Sequence, residues 1–305
     1  MKYRGWLVGV AVLLAGSAHS QARASKDGGG SGAASFDGAR IERLTGAKGT
    51  LDAREQVFKV SVPRSDLAVR VAGARMTPRL GLTSWAAFHP VGSQAMVMGD
   101  VVVLAGEVDP VMSAALDAGL EVTGLHNHFL GDEPRVMFLH LGGHGDLDGL
   151  ATAVGKVFAA LAAARGRLLP TVDVDPARSA LDATALARLL GASGELADGV
   201  YKVTIGRSTR MHGETLGAAM GVNTWAAFAG SAQQAVVDGD FAMDEAELQP
   251  VLKALRRAGI SVVAIHNHMT GEDPRVVFLH YWGAGPAAEL ARGLRSALDA
   301  QAAVR

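Results

Sequence analysis

The chain contains an internal duplication with an offset of 140 residues, and this duplication constrains the fold more than any other feature of the sequence. Without a gap, 29 of the 65 residues from Gly81 to Gly145 are identical to the residue 140 positions later. Upstream, the similarity continues with a slightly larger offset, as in segments 57–60 and 200–203. Chance does not produce agreement of this length, so the sequence predicts two tandem homologous repeats.

The duplication predicts a first repeat at residues 36–165 and a second repeat at residues 180–305, joined by a linker at 166–179. Residues 1–24 have basic residues, a short apolar run and small residues in the order typical of a secretory signal peptide. Residues 25–35 are rich in glycine and serine, which favours a flexible leader. We therefore expect a periplasmic or secreted protein without a stable membrane span after cleavage; an uncleaved membrane anchor is the alternative.

Composition limits the chemistry that the chain can perform. There is no cysteine, which excludes disulfides, thiolate nucleophiles and zinc–cysteine sites. The formal net charge of -1 argues against a nucleic-acid partner, and the hydrophobic content of 49% is typical of a globular protein. Any transition metal must be held by His, Asp or Glu. We expect a small-molecule ligand as partner, and the sequence leaves the oligomeric state open.

Each repeat shows the pattern of an α+β fold with two or more helices and a mixed or antiparallel sheet. A barrel-like sheet is one of the expected forms. The predicted elements of the first repeat are two strands between Ala95 and Leu104 joined by a turn at Gly99-Asp100, a helix from Pro110 with Asp109 as N-cap, strands at 120–128 and 134–141, and a helix at 147–164. The order of a helix followed by a hairpin favours α+β over a parallel doubly wound sheet.

Six of the ten histidines occupy equivalent positions in the two repeats. They form a first trio and a second trio: His126, His128 and His140, and His266, His268 and His280. Two histidines two apart on a strand point to one face. In an antiparallel hairpin, the residue numbers of directly opposed residues have a constant sum, and the third histidine reaches the same face only if this index sum is even. A shorter turn or a β-bulge would bring it closer to the other two. The sequence predicts a divalent-metal site in each repeat, with zinc the best fit to three imidazoles.

Two further residues are candidates for catalysis. Glu107 is a candidate general base or ligand, although an acidic residue near a helix N-terminus is slightly better explained by the helix dipole. Arg135 is a candidate for binding a substrate carboxylate or phosphate, but the hairpin register points it away from the histidines. Asp100 follows a glycine and is interpreted as a turn residue. The equivalents in the second repeat are Glu247, Arg275 and Asp240.

The doubled H-N-H…P-R-V…F-L-H pattern, the two Gly-Asp pairs and the two Trp-Ala-Ala-Phe segments resemble the LppY/LpqO family of bacterial secreted proteins. The resemblance covers almost the whole chain after residue 24. It implies export and little about activity, because the family is largely uncharacterised. Named members are lipoproteins, and this chain differs from them because it lacks the lipid-bearing cysteine.

A second resemblance is local. The segment from His126 to His140 is similar to the zinc-binding stretch of alpha-acetolactate decarboxylase, in which an H-x-H pair and a third histidine bind zinc with help from glutamate. The resemblance covers about fifteen residues, and the spacing from the H-x-H pair to the third histidine differs by about one residue. It implies a related mixed, barrel-like fold and a metal site, without implying the same substrate.

These features predict an exported metal-binding protein, in particular a zinc-type metalloenzyme that hydrolyses or decarboxylates a small oxygenated acid or ester. The alternatives are a non-catalytic periplasmic protein that binds metal or ligand, and a structural repeat protein whose histidines are satisfied in the core. His89 and His144 have no histidine counterpart in the second repeat, where Ala229 and Ala284 stand. The first trio is therefore the preferred site if only one of them is active.

Overall fold

The computed structural model describes residues 37–304, so the predicted signal peptide and leader lie outside the described residues. The helices are α1 (Gly38–Thr45), α2 (Ala105–Asp117), α3 (Leu147–Ala164), α4 (Ala183–Leu190), α5 (Leu248–Arg257) and α6 (Ala287–Ala302). The strands of the first repeat are β1 (Lys48–Asp52), β2 (Val57–Pro63), β3 (Arg70–Val71), β4 (Ala74–Arg75), β5 (Thr83–Val91), β6 (Gln94–Leu104), β7 (Glu121–His126), β8 (Asp132–Glu133) and β9 (Val136–Gly145). Those of the second repeat are β10 (Gly194–Ala197), β11 (Val200–Gly206), β12 (Thr209–Met211), β13 (Glu214–Leu216), β14 (Asn223–Gly230), β15 (Ala235–Asp244), β16 (Ser261–His266) and β17 (Val276–Gly285).

Twelve strands form one antiparallel sheet in the order β1-β2-β5-β6-β9-β7-β16-β17-β15-β14-β11-β10. The six strands of the second repeat follow in the reverse order of their equivalents in the first, so a pseudo-two-fold axis relates the repeats. β7 and β16 meet at Leu125 and Ile265, which are equivalent positions 140 residues apart. The predicted α+β class with an antiparallel sheet is confirmed. The barrel-like form is wrong, because β1 and β10 remain free edges.

The helices pack on one face of this sheet and enclose one hydrophobic core. In β6, the alternating residues Val97, Val101 and Val103 face this core, as expected when successive strand residues point to opposite faces. Side chains from all six helices belong to the same cluster. The two repeats therefore share a sheet and a core and are halves of one folded unit.

The opposite face of the sheet carries no helix layer among residues 37–304. Near the start of β9, a small cluster around Val102 and Phe138 covers part of it, and a matching cluster in the second repeat surrounds Ala242 and Phe278. Elsewhere this face is open, and Met98 of β6 is 59% exposed. Side chains on the uncovered part of this face, such as His128, are therefore accessible to solvent.

The helix predicted at residues 147–164 is confirmed as α3. Asp146 caps its N-terminus by accepting a hydrogen bond from Gly149 N at 2.9 Å. Among the described residues, α3 is one helix long and apolar enough to cross a membrane by length and composition. Its apolar side packs against α1, α2 and the sheet, which is the position of a core helix.

Two predicted boundaries are wrong. The residues from Gln94 to Leu104 form the single strand β6 instead of two strands with a turn at Gly99. Glycine favours the close approach of β5 there, because a Cβ at Gly99 would lie 3.0 Å from Trp85 O. The following helix begins at Ala105 instead of Pro110, because the Glu107 carboxylate caps it by accepting a hydrogen bond from Leu104 N at 2.8 Å.

Candidate metal centre

The first histidine trio is assembled by the hairpin of β7 and β9. Within this hairpin, His126 pairs with Phe138 and Gly124 pairs with His140, so the index sum of opposed residues is 264. This sum is even, as a common face requires, and it places His140 two positions from His126. A β-bulge between Val122 and Gly124 shifts the register. This bulge lies beyond the Gly124–His140 pair, so it does not bring His140 closer to His126, and the turn between β7 and β9 sets their alignment.

The three imidazoles of the first trio converge. His126 Nε2 lies 2.7 Å from His140 Nε2, and the ring centroids of His126 and His128 are 5.1 Å apart. One ring nitrogen from each histidine lies within 4.8 Å of the other two, so this group could hold a metal ion. Nitrogens that bind one tetrahedral zinc at about 2.0–2.1 Å lie about 3.4 Å apart. Small side-chain rotations would bring the three nitrogens to that spacing.

Neighbouring groups orient the rings. His128 stacks on Phe138 with ring centroids 3.4 Å apart and planes 4° apart. The backbone oxygen of Asn127 lies 3.3 Å from His126 Nδ1, which directs the Nε2 atom of His126 towards His140.

Burial lowers the pKa of His128; Asp100 opposes this shift, and the other two imidazoles add to it. A lower pKa keeps the His128 ring neutral, which is the form that binds a metal.

Asp100 is the functional candidate that the sequence reasoning missed. It lies on β6 directly opposite His140, with its Oδ1 atom 3.9 Å from His140 Nδ1. That oxygen is buried and has no hydrogen-bond partner among the described residues. Burial raises the pKa of Asp100, and the nearby imidazoles counteract the increase. A carboxylate behind a ligating histidine commonly fixes the orientation of the ring, and Asp100 is placed for that role.

The second trio has the same strand positions with a different donor set. Asp240 pairs with His280 across β15 and β17. The group whose ligand atoms lie within 4.8 Å of one another is Asp240, His266 and His268, without His280. Asp240 Oδ2 is 3.7 Å from His268 Nε2, and His268 stacks on Phe278 at 3.5 Å. Burial also raises the pKa of Asp240 and lowers that of His268.

One residue beside the third histidine differs between the repeats. Gly124 pairs with His140, and a Cβ at Gly124 would lie 3.0 Å from His140 Cδ2. In the second repeat, Ala264 occupies this position opposite His280. The His280 ring nevertheless lies 4.7 Å from the His266 ring, close to the 4.8 Å between the His140 and His126 rings. The His266 Nε2 atom is buried without a hydrogen-bond partner among residues 37–304 and remains available to a ligand.

Glu107 does not join the histidines. Its side chain is fully buried and accepts hydrogen bonds from Arg64 Nη1 at 2.8 Å and Nη2 at 2.9 Å, in addition to the bond from Leu104 N. Both carboxylate oxygens are therefore engaged in an ion pair that caps α2. This position contradicts the predicted catalytic role of Glu107 and supports the helix-terminus interpretation. Glu247 forms the equivalent ion pair with Arg207.

Arg135 also lies apart from the first trio. Its exposed side chain lines a cavity of about 570 Å³ at the junction of the repeats, together with Asn127 and Trp282, and no histidine lines that cavity. The expected orientation away from the histidines agrees with this position, and a direct catalytic role for Arg135 does not. The equivalent cavity of about 590 Å³ contains Arg275 and also reaches His266.

A model of the protein family described as a Domain of Unknown Function (DUF1259) matches residues 39–160 and, separately, residues 184–300. The chain belongs to this family. Each match of the DUF1259 model contains one complete histidine trio. No curated protein matches the chain.

Three solved structures have weak similarity to this DUF1259 member. A double-ringed trimeric shell protein from the RMM microcompartment is 17% identical, with 69% of this chain and 84% of that chain covered at a TM-score of 0.17. A fused permuted hexameric shell protein from the same microcompartment is 16% identical, covering 71% and 88% at a TM-score of 0.17. Aspartate kinase from Synechocystis is 11% identical, covering 77% and 44% at a TM-score of 0.16. TM-scores this low carry no argument about fold or function.

Proposed function

We propose that this protein is an exported metalloprotein that binds a divalent metal, best fitted by zinc, at the histidine group of each repeat. We further propose that the first trio is the catalytic centre of an enzyme that hydrolyses or decarboxylates a small oxygenated acid or ester. The observation that carries the proposal is the convergence of His126, His128 and His140, with one ring nitrogen of each within 4.8 Å of the others. The resemblance to the secreted LppY/LpqO proteins supports the exported location.

The donor set favours zinc over harder cations. Three neutral nitrogen donors suit zinc and other late first-row metals, whereas magnesium and calcium prefer oxygen donors. Three histidines with a free fourth position match a catalytic zinc arrangement rather than a closed structural one. Zinc bound in this way supplies Lewis acidity for a substrate carbonyl.

The chain's own residues support the site from two sides. Asp100 lies behind His140, where it is placed to orient that ring when a metal binds, while Phe138 fixes the plane of His128. The His128 side is open to solvent, so a small ligand can approach the trio from the face without helices. We expect binding and catalysis to share this open approach.

A second candidate function is metal binding without catalysis. Within residues 37–304, Asp100 is the carboxylate that pairs with the first trio, and it is buried behind His140. Glu107, the candidate general base, is committed to Arg64 and does not reach the trio. This arrangement favours a metal-binding module if the trio shows affinity without turnover.

Turnover of a panel of esters and 2-hydroxy-3-oxo acids tests the catalytic proposal. Metal-depleted protein is assayed before and after addition of zinc, together with His128→Ala and, as the matched control, His268→Ala. The proposal predicts zinc-dependent turnover that His128→Ala abolishes and His268→Ala retains. Zinc binding without turnover of any substrate would support the second candidate. Turnover that is unchanged in metal-depleted protein would contradict both the enzyme assignment and its site.

A further inference from the structure

A row of three potential metal ligands crosses the sheet outside the histidine trios. His89 on β5 pairs directly with Met96 on β6, and Met96 pairs directly with His144 on β9. Directly opposed residues on adjacent antiparallel strands have Cβ atoms about 4.5–5.5 Å apart. The sheet register therefore places one thioether between two imidazoles.

All three side chains lie on the face without helices. On β6, the neighbours Ala95 and Val97 face the core, so Met96 points to the opposite face. Met96 is 39% exposed, and Met98, on the same face, is 59% exposed between Ala87 and Gly142. Exposed methionines are not explained by core packing, and the small neighbours leave space around Met98.

The row is separate from the first trio. Met96 and Asp100 are four residues apart on β6, as are His144 and His140 on β9. This separation corresponds to about 13 Å along a strand. The two groups therefore cannot share one ion.

The chemistry of the row differs from that of the trios. Thioether sulfur is a soft donor that favours Cu(I), and imidazole is also a good copper ligand. Zinc sites are built from imidazole, carboxylate and thiolate, so a methionine at the centre of the row argues against zinc. The chain has no cysteine that would compete for a soft ion.

The second repeat provides an internal comparison. The same strand pairings bring together Ala229, Val236 and Ala284, which have no metal-ligating group. Met98 is likewise replaced by Asp238. All four positions differ together, while the strand register around them is the same in both repeats. The fold therefore does not require histidine or methionine at these positions.

We infer that His89, Met96 and His144 form a binding site for a soft monovalent metal ion, Cu(I), with Met98 as an additional thioether at its edge. The site belongs to the first repeat alone. It does not depend on the proposed function of the histidine trios, because none of its residues belongs to them.

Anaerobic titration of the full chain with Cu(I), in competition with a chromophoric chelator, tests this inference. X-ray absorption then reports whether sulfur is a copper ligand, and the methyl NMR signal of Met96, assigned by its loss in Met96→Val, reports on the site itself. Met96→Val, His89→Ala and His144→Ala introduce the residues that the second repeat carries, so they preserve the strand. His128→Ala is the control, since imidazoles of the trios also attract copper.

The expected result is a Cu(I) ion with sulfur among its ligands, a shifted Met96 methyl signal at the first equivalent, and a smaller sulfur contribution in Met96→Val than in the wild type. Each of the three variants should bind this ion at least about tenfold more weakly, whereas His128→Ala should keep the sulfur ligand. An unmoved Met96 signal, or the same sulfur contribution in Met96→Val as in the wild type, would overturn the inference. Because zinc content of the trios is measured separately, failure here leaves the proposed function untouched.

Discussion

At the scale of single residues, the carboxylate of Asp100 carries a cost that a bound ion can offset. Its side chain is buried and its Oδ1 atom has no hydrogen-bond partner among the described residues. A buried carboxylate without a partner is unfavourable unless a positive charge or a donor lies close to it. The imidazole of His140 is 3.9 Å away, which is too long for a hydrogen bond.

Asp100→Asn should therefore separate stability from metal affinity. We expect the variant to leave the metal-free protein at least as stable as the wild type, because a neutral amide is cheaper to bury than a carboxylate. Zinc affinity should fall by about 10–100-fold, because the group that orients His140 is weakened. Thermal unfolding of metal-free protein and a zinc titration measure the two effects, with the exposed Asp117→Asn as control. Equal zinc affinity in Asp100→Asn and the wild type would remove Asp100 from the site.

Asp66 gives a pH-dependent prediction. Burial raises the pKa of Asp66, but hydrogen bonds and charge attraction from Arg64 outweigh burial and hold the pKa below its ordinary value of 3.8. Arg64 Nη2 donates to Asp66 Oδ2 at 2.9 Å. A lowered pKa in the folded state means that this carboxylate stabilises the fold above pH 3.8 and loses its contribution as pH falls through the folded-state pKa.

Asp66→Asn should accordingly lower the free energy of unfolding by about 0.5–1.5 kcal/mol at neutral pH, because solvent screens this partly exposed carboxylate. The difference from the wild type should stay constant from about pH 8 to about pH 5 and shrink below the ordinary pKa of the carboxylate. Denaturant unfolding at several pH values measures it. Asp173→Asn, whose side chain is 93% exposed, is the control and should have little effect. A destabilisation that persists undiminished into acid would contradict the role of charge.

The sequence predicted the place of the histidines in the candidate metal site better than that of the aspartates. Histidines repeated at one offset, with matching positions on a strand, are sufficient to predict a shared face. Asp100 and Asp240 carried the same repeated offset, but a Gly-Asp pair is also typical of turns, so the local pattern favoured the wrong interpretation. Which residue faces His140 depends on the pairing of β6 with β9, and strands this far apart in sequence pair through the fold as a whole.

At the scale of elements, two equivalent glycines differ in what surrounds them. A Cβ at Gly99 would approach Trp85 O at 3.0 Å, whereas a Cβ at Gly239 would overlap both Tyr281 Oη and Trp225 O. Tyr281 is buried and donates a hydrogen bond to Trp225 O at 2.9 Å, so it cannot move without losing that bond. The first repeat has Leu141 in place of Tyr281.

Gly239→Ala should therefore destabilise the protein more than Gly99→Ala. We expect a loss of about 3 kcal/mol or more in the free energy of unfolding for Gly239→Ala and about 1 kcal/mol for Gly99→Ala. Urea unfolding of the two variants and the wild type provides the comparison. Similar losses in both variants would show that the Tyr281 contact does not set the strand spacing.

Elements were predictable where their signals were local. Helix α3 was predicted to its observed ends because its amphipathic pattern is carried by residues next to one another in the chain. The start of α2 was missed because its cap depends on Glu107, which is held by Arg64, a residue that follows β2 and lies 43 positions earlier in the chain. A shorter turn or a β-bulge was expected to bring His140 closer, but the bulge at Val122 lies beyond His140, and the register that the turn imposes could not be read from a spacing.

At the scale of the whole molecule, the duplication produced one sheet with a metal-binding candidate in each half. The halves meet at Leu125 and Ile265, and Gln249 reinforces the junction by bonding to both backbone N and O of Val122. The sequence predicted two repeats, but it could not predict that they share an open sheet. That outcome depends on two edge strands being left free to pair, which is a property of the folded halves.

Metal content of the purified chain, measured by mass spectrometry after growth with zinc and purification without chelators, tests the central claim most directly. The account predicts two equivalents of zinc in the wild type, one in His126→Ala, one in His266→Ala, and none in the double variant. A wild-type protein without bound metal, or a double variant that retains the wild-type content, would contradict it.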